Sequence, residues 1–150
     1  MSTGFLRAVL EYFPDSQVDI ILKFGFETLP IPHRGEKILF DKNKDSAGKF
    51  GKSLRQQNYD CIYVLPPSFS SAWMAYQSKI PKRIGYAGEY RSFLLTSAKI
   101  HEIRPGSQHL LKEYLDLLSN DLEMENYAPR LEVKHDWVKE QLDSCAFKIP

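Results

Sequence analysis

Five apolar residues in a row, Cys61-Ile62-Tyr63-Val64-Leu65, follow Asp60 and stop at Pro66-Pro67. A run this short that is apolar at every position reads as a strand covered on both faces. Strands of that kind belong to parallel sheets, whose crossover connections are usually helices. The neighbouring segments should therefore alternate between helix and strand.

They do alternate. Phe5, Leu6, Val9, Leu10 and Phe13 share one helical face, and Pro14-Asp15-Ser16 stops that helix. Val18 to Leu22 is a strand by its β-branched residues. Lys37 to Phe40 is a second, after the Leu29-Pro30-Ile31-Pro32 stretch. Asp45 is placed to cap a helix with Ala47, Phe50 and Leu54 inward. Ser68 is placed to cap another, with Phe69, Ala72, Trp73 and Tyr76 on one face, and Pro81 breaks it. Arg83 to Tyr86 and Phe93 to Thr96 are extended candidates. Pro105-Gly106-Ser107 opens a helix carrying Leu110, Leu111, Tyr114, Leu115 and Leu118. Trp137, Val138 and Leu142 suggest a last helix, and Phe147-Lys148-Ile149-Pro150 ends the chain. The fold class is α/β, a Rossmann-like, doubly wound and mostly parallel sheet.

The pattern opens on a helix, with no strand before it: either the fold starts with a helix, or its first strand is missing. In a sheet of order 3-2-1-4-5 the first strand is central. Its absence would leave the 18–22 and 60–65 strands without ladder partners, and a continuous sheet there would speak against a missing strand.

The 150 residues, 43% hydrophobic and 26% charged, have ordinary globular composition. No apolar run approaches the roughly 18 residues of a membrane span, and no signal peptide is visible. Cys61 and Cys145 lack metal-like spacing, so a reducing, cytoplasmic setting is expected. Net charge is +1, unevenly placed: residues 79–104 carry six basic and two acidic side chains, a net of +4. A basic stretch in a near-neutral chain suggests an anionic ligand.

Several chemistries are excluded. No glycines give the dinucleotide spacing G-x-G-x-x-G, and Gly51-Lys52-Ser53 lacks the earlier glycine of a phosphate loop because Ser46 stands there. His33, His101, His109 and His135 form no zinc pattern. Ser68 and Ser70 lack a nucleophile elbow. Basic and aromatic residues interleave at 82–91, but without an RNA-binding motif or overall basicity, so no nucleic-acid partner is expected.

Two segments carry a resemblance. Pro66-Pro67-Ser68-Phe69-Ser70-Ser71-Ala72 is followed by Ala75-Tyr76. Ile80-Pro81-Lys82-Arg83-Ile84-Gly85-Tyr86 is followed by Gly88 to Thr96. Together they resemble the ADP-heptose:lipopolysaccharide heptosyltransferase family, and Ser2 to Asp15 looks like that family's first helix. The likeness runs from about Met1 to Leu131. Two positions depart from it: Pro67 stands where the family has Asn, and Ser70 where it has a basic residue.

The resemblance implies the two-domain GT-B architecture, with residues 1–130 forming an incomplete N-terminal, acceptor-binding domain that lacks its first strand. Residues 131–150 would lead towards a C-terminal donor domain. It implies heptose transfer from ADP-heptose to the lipopolysaccharide inner core, with no cofactor and no metal. The general base would lie upstream of Met1, so this stretch alone would be inactive. Peripheral contact with the inner membrane is implied too. Ser68, Arg83, Tyr86 and Arg91 are the expected acceptor-binding residues, near the carboxyl ends of the strands. The rival readings are a non-catalytic α/β binding module and a GT-B transferase for another nucleotide sugar.

Overall fold

A computed structural model describes residues 2–88, 90–100 and 109–128. Helix α1 (Ser2–Tyr12) buries Phe5, Leu6, Ala8 and Val9. Strands β1 (Ile20–Lys23) and β2 (Lys37–Phe40) follow, then helix α2 (Ala47–Ser53) and strand β3 (Cys61–Val64). Helix α3 (Phe69–Ser78) leads to β4 (Lys82–Tyr86), β5 (Ser97–Lys99) and helix α4 (Leu110–Leu118). The segments at 105–107 and 131–150 lie outside the described residues, including the helix expected around Trp137.

All three strand pairings are parallel. Among the described residues they form two ladders, β1–β2 and β3–β4–β5. The strand alternation fixes what lies on each face. Ile62 and Val64 of β3 pack on Ala72 and Ala75 of α3. Tyr63 points the other way and meets the Phe5 ring edge-on at 5.6 Å. Ile21, Ile38 and Phe40 pack against Phe50 of α2 and Met74 of α3. One face is therefore covered by α2 and α3, the other by α1 and α4, which share the Ala8–Leu111–Leu115 core. Gly51 lets α2 lie on the α3 backbone, since a Cβ there would sit 2.2 Å from the Met74 carbonyl oxygen.

Four sequence expectations change. Helix α4 opens at His109, whose Nδ1 accepts from the Leu111 amide at 3.3 Å, rather than at 105–107. Ser46, not Asp45, caps α2, its side chain accepting from the Lys49 amide; Asp45 instead pairs with Lys49 at 2.9 Å. Phe93 to Thr96 is not one extended run. Ser92–Leu94 form a 3-10 turn, which buries both Leu94 and Leu95 while Phe93 stays outside. Strict alternation could not bury two consecutive side chains on one face. Finally, β3 is less covered than its apolar run demands: Val64 is buried, whereas Cys61, Ile62 and Tyr63 are half-buried.

A side-chain clasp joins the entries to β1 and β3. The Tyr59 hydroxyl donates to Asp19 Oδ2 at 2.5 Å, and the Glu36 amide to Asp19 Oδ1 at 2.7 Å. Burial acts to raise the Asp19 carboxyl, but the bonds from Tyr59, Glu36 and Gln17 outweigh it and hold its pKa below that of an ordinary aspartate. A lowered folded pKa gives stability that is full above the unfolded value and lost as pH falls through the folded one. Tyr59→Phe should cost roughly 1–2 kcal/mol at pH 6, since the lost bond ends on a charge. Urea titrations at pH 6 and pH 3 should show that difference shrinking in acid.

Candidate functional site

Open parallel sheets bind ligands beyond the carboxyl ends of their strands. At that end β3 runs into Pro66-Pro67-Ser68, and Ser68 caps α3 because its extended backbone lets its Oγ accept from the Ser71 amide at 3.3 Å. The Ser71 hydroxyl in turn donates to the carbonyls of Pro66 and Ser68, at 2.9 and 2.7 Å. The Ser70 hydroxyl lies 3.2 Å from Ser68 Oγ on the exposed side.

The β4 end is tied to the same turn. Gly88 at φ +144° and Tyr90 at φ +54° fold the chain back, and Arg91 passes underneath, only 1% exposed. Its guanidinium reaches three main-chain carbonyls. Nε and Nη2 donate to Tyr86 at 2.9 and 2.7 Å. Nη1 donates to Pro66 at 2.6 Å and Ser68 at 3.2 Å. The Tyr86 hydroxyl donates to the Glu113 carbonyl of α4 at 2.8 Å. A buried cation spread over several carbonyls is a fastening, because each bond to a charged donor is stronger than a neutral one.

The structure thus gathers Ser68, Tyr86 and Arg91 at the carboxyl ends of β3 and β4. Arg83 is elsewhere: it is the second residue of β4, paired across from Ile62. Its guanidinium donates to the Ile80 and Leu94 carbonyls at 2.6 and 2.9 Å and lies 5.8 Å from the centre of the Tyr76 ring. Much of the basic stretch is engaged within the molecule in this way. Lys79 sits 4.8 Å from the same ring centre, and Lys99 donates to the Asp116 carbonyl and to Asn120. Ser71 is not among the residues expected from the sequence; the Ser-x-x-Ser spacing of 68 and 71 is the signal for it.

Among the described residues no three His, Cys, Asp or Glu side chains gather where they could hold a metal ion. No helix among them is long and apolar enough to cross a membrane. An open hollow of about 410 Å³ beside α4, lined by His109, Lys112, Asn120, Leu122 and Met124 among others, contains none of the four residues named from the sequence.

Comparison with known proteins gives a consistent picture. The family described as glycosyltransferase family 9 (heptosyltransferase) matches residues 47–149. Lipopolysaccharide heptosyltransferase 2 of Escherichia coli (strain K12) is 33% identical over 100 residues, covering 67% of this chain and 25% of that protein. The chain therefore spans about a quarter of the length of that curated relative. The solved structure of E. coli ADP-heptose lps heptosyltransferase II superposes with a TM-score of 0.76 at 24% identity, over 97% of this chain and 46% of the other. A glycosyltransferase family 9 structure from Veillonella parvula DSM 2008 gives 0.74 at 16% identity, over 94% and 43%. The parallel α/β fold read from the sequence is that of these GT-B neighbours.

Proposed function

The chain belongs to glycosyltransferase family 9, the heptosyltransferases, and from that premise we propose that residues 1–130 are most of an acceptor-binding domain lacking its first strand. Residues 131–150 are then the connection to a donor domain. The complete cytoplasmic enzyme, in peripheral contact with the inner membrane, moves heptose from ADP-heptose to the lipopolysaccharide inner core. On this reading residues 1–150 alone transfer nothing, since the general base and the donor site belong to other parts of the enzyme.

The observation that carries the acceptor role is the turn at the carboxyl end of β3, where Ser68, Ser70 and the N-terminus of α3 meet the chain leaving Tyr86. Helix N-termini favour anions, and inner-core sugars carry carboxylates and phosphates. Ser68 and Tyr86 form the acceptor-facing surface. Arg91 holds its shape from below. Arg83 acts through the strand and the Leu94 turn that it fastens.

Titrating chain 1–150 with a phosphorylated inner-core oligosaccharide tests this by NMR. Saturable shifts centred on residues 66–71 and 86–91 are expected, with none from ADP-heptose. Ser70→Arg restores the family's basic residue and should tighten binding roughly tenfold, the worth of one charge-assisted bond. Shifts confined elsewhere, or none, would remove the acceptor role; heptose transfer by the chain alone would remove its inactivity.

A further inference from the structure

Helix α3 carries no charged side chain, and its apolar residues are not confined to one side. Ala72, Met74, Ala75 and Ser78 are its buried side. At about 100° per residue, Phe69, Trp73 and Tyr76 fall on the opposite side, where a surface helix is ordinarily polar. There they stack in a row, with 6.4 Å between the ring centres of Phe69 and Trp73 and 5.6 Å between those of Trp73 and Tyr76. Phe69 is 45% exposed. The Ser92–Leu94 turn packs beside α3 through Leu94 and leaves Phe93 71% exposed.

Cations border this row. Residues 45–88 hold six basic side chains against two acidic ones, Asp45 and Asp60. Lys49 and Lys52 stand on the outward side of α2, because Phe50 and Gly51 turn inward. Arg55 and Lys79 are exposed as well, Arg55 donating to the Gln77 carbonyl near the end of α3 and Lys79 lying over Tyr76. The other side of the sheet has the opposite sign. Residues 109–128 hold five acidic side chains and one basic, and that one, Lys112, pairs with Asp116 at 3.0 Å. Among the described residues the molecule is therefore electrically two-sided, with the α3 rings on the positive side.

A row of rings bordered by cations fits an anionic lipid surface. Trp and Tyr favour the bilayer interface because each joins an apolar body to a polar tip. Attraction to anionic headgroups grows with each Lys or Arg brought within a Debye length of them. Nucleobases match this surface less well, since they need an open ring face to stack on. Here the rings stack on one another, and Tyr76 has Lys79 and Arg83 over it.

We infer that the α2–α3 side of the sheet is the surface by which this chain lies on an anionic bilayer. Phe69, Trp73 and Phe93 reach the lipid interface, and Lys49, Lys52 and Lys79 meet the headgroups. The turn at Ser68 opens the same helix, so an acceptor anchored in that bilayer meets it without leaving the lipid surface. The inference rests on the peripheral-membrane reading above and names the face that makes the contact.

The test mixes chain 1–150 with sugar-free vesicles of phosphatidylcholine, with and without about 30% phosphatidylglycerol, and follows co-sedimentation. Binding to the anionic vesicles alone is expected, with release at about 0.5 M salt. Trp137→Phe leaves Trp73 as the single tryptophan, and brominated lipid should quench it. Lys52→Gln with Lys79→Gln should weaken binding at least about tenfold. Ser16→Asp with Asn126→Asp gives the same net charge at exposed positions beside α1 and α4, and should change binding less than about twofold. Phe93→Ser should weaken it roughly fivefold, as apolar area is lost from the interface. All these side chains but Trp137 are exposed, and circular dichroism checks that each variant is folded. Equal weakening by the two double variants, or an unquenched Trp73 in bound protein, would leave the membrane contact standing and overturn its assignment to this face. No vesicle binding would overturn both. Self-association abolished by Phe93→Ser, without vesicle binding, would give the face to a second copy instead.

Discussion

Arg91→Met should lower stability by roughly 3–5 kcal/mol, because the lost bonds end on a charged donor and leave partly buried carbonyls short of a partner. Three nitrogens of a 1% exposed side chain donate to Tyr86, Pro66 and Ser68. Methionine fills similar space and offers no donor. With a urea dependence of about 1–3 kcal/mol per molar, the unfolding midpoint should fall by more than about 1 M. Arg91→Lys should land between the two, since an ammonium is a point charge without the planar fork that reaches several carbonyls at once. A midpoint unchanged in Arg91→Met would mean that these carbonyls are satisfied as well by water. The same variant should broaden the NMR signals of residues 66–71, a local loosening that a general loss of stability would not confine there.

Leu111→Ala is the second large effect. Leu111 is 0% exposed and sits with Leu115 and Ala8 between α4 and α1. Removing three buried carbons costs the lost transfer energy and the cavity left behind, roughly 2–5 kcal/mol. For a domain of this size that is a fall in Tm on the order of 6–15 °C. Leu39→Ala, at a residue 37% exposed, is the matched control and should cost far less. The comparison reads how firmly α1 is held, because Leu111 lies within 3 Å of where a Cβ on Gly4 would be. Equal melting points would show that α4 does not anchor α1.

Much of the fold was legible because its signals are local. Ser68 as a cap, Pro81 as a stop and the Lys37–Phe40 strand each follow from one residue type or one short run. Ser46 displaced Asp45 because either side chain can cap, and the choice depends on where the backbone enters the helix. The 92–96 segment misled because Leu94 and Leu95 look extended in sequence, while packing requires both on one side. The placement of the candidate residues was legible in part: Arg83 lies early in β4, away from the other three. Ser68, Tyr86 and Arg91 come together as their positions after strands imply. That Arg91 and Arg83 spend their donors on carbonyls is a tertiary fact, and neither charge nor motif distinguishes a buried arginine from an exposed one. The half-burial of Cys61, Ile62 and Tyr63 is the converse case. There the sequence describes an environment that the described residues do not complete.

The fastening of the β3–α3 turn has a consequence for how this surface can change. Arg91 holds it through the carbonyls of residues 66, 68 and 86, and every amino acid supplies a carbonyl. Side chains at 67 and 70 can therefore be exchanged without altering the course of the backbone that displays them. Pro67 and Ser70, where the family has an amide and a cation, occupy such positions. The turn is a fixed mount with replaceable fittings, so the side-chain chemistry it displays can vary between related chains while the backbone that displays it stays the same.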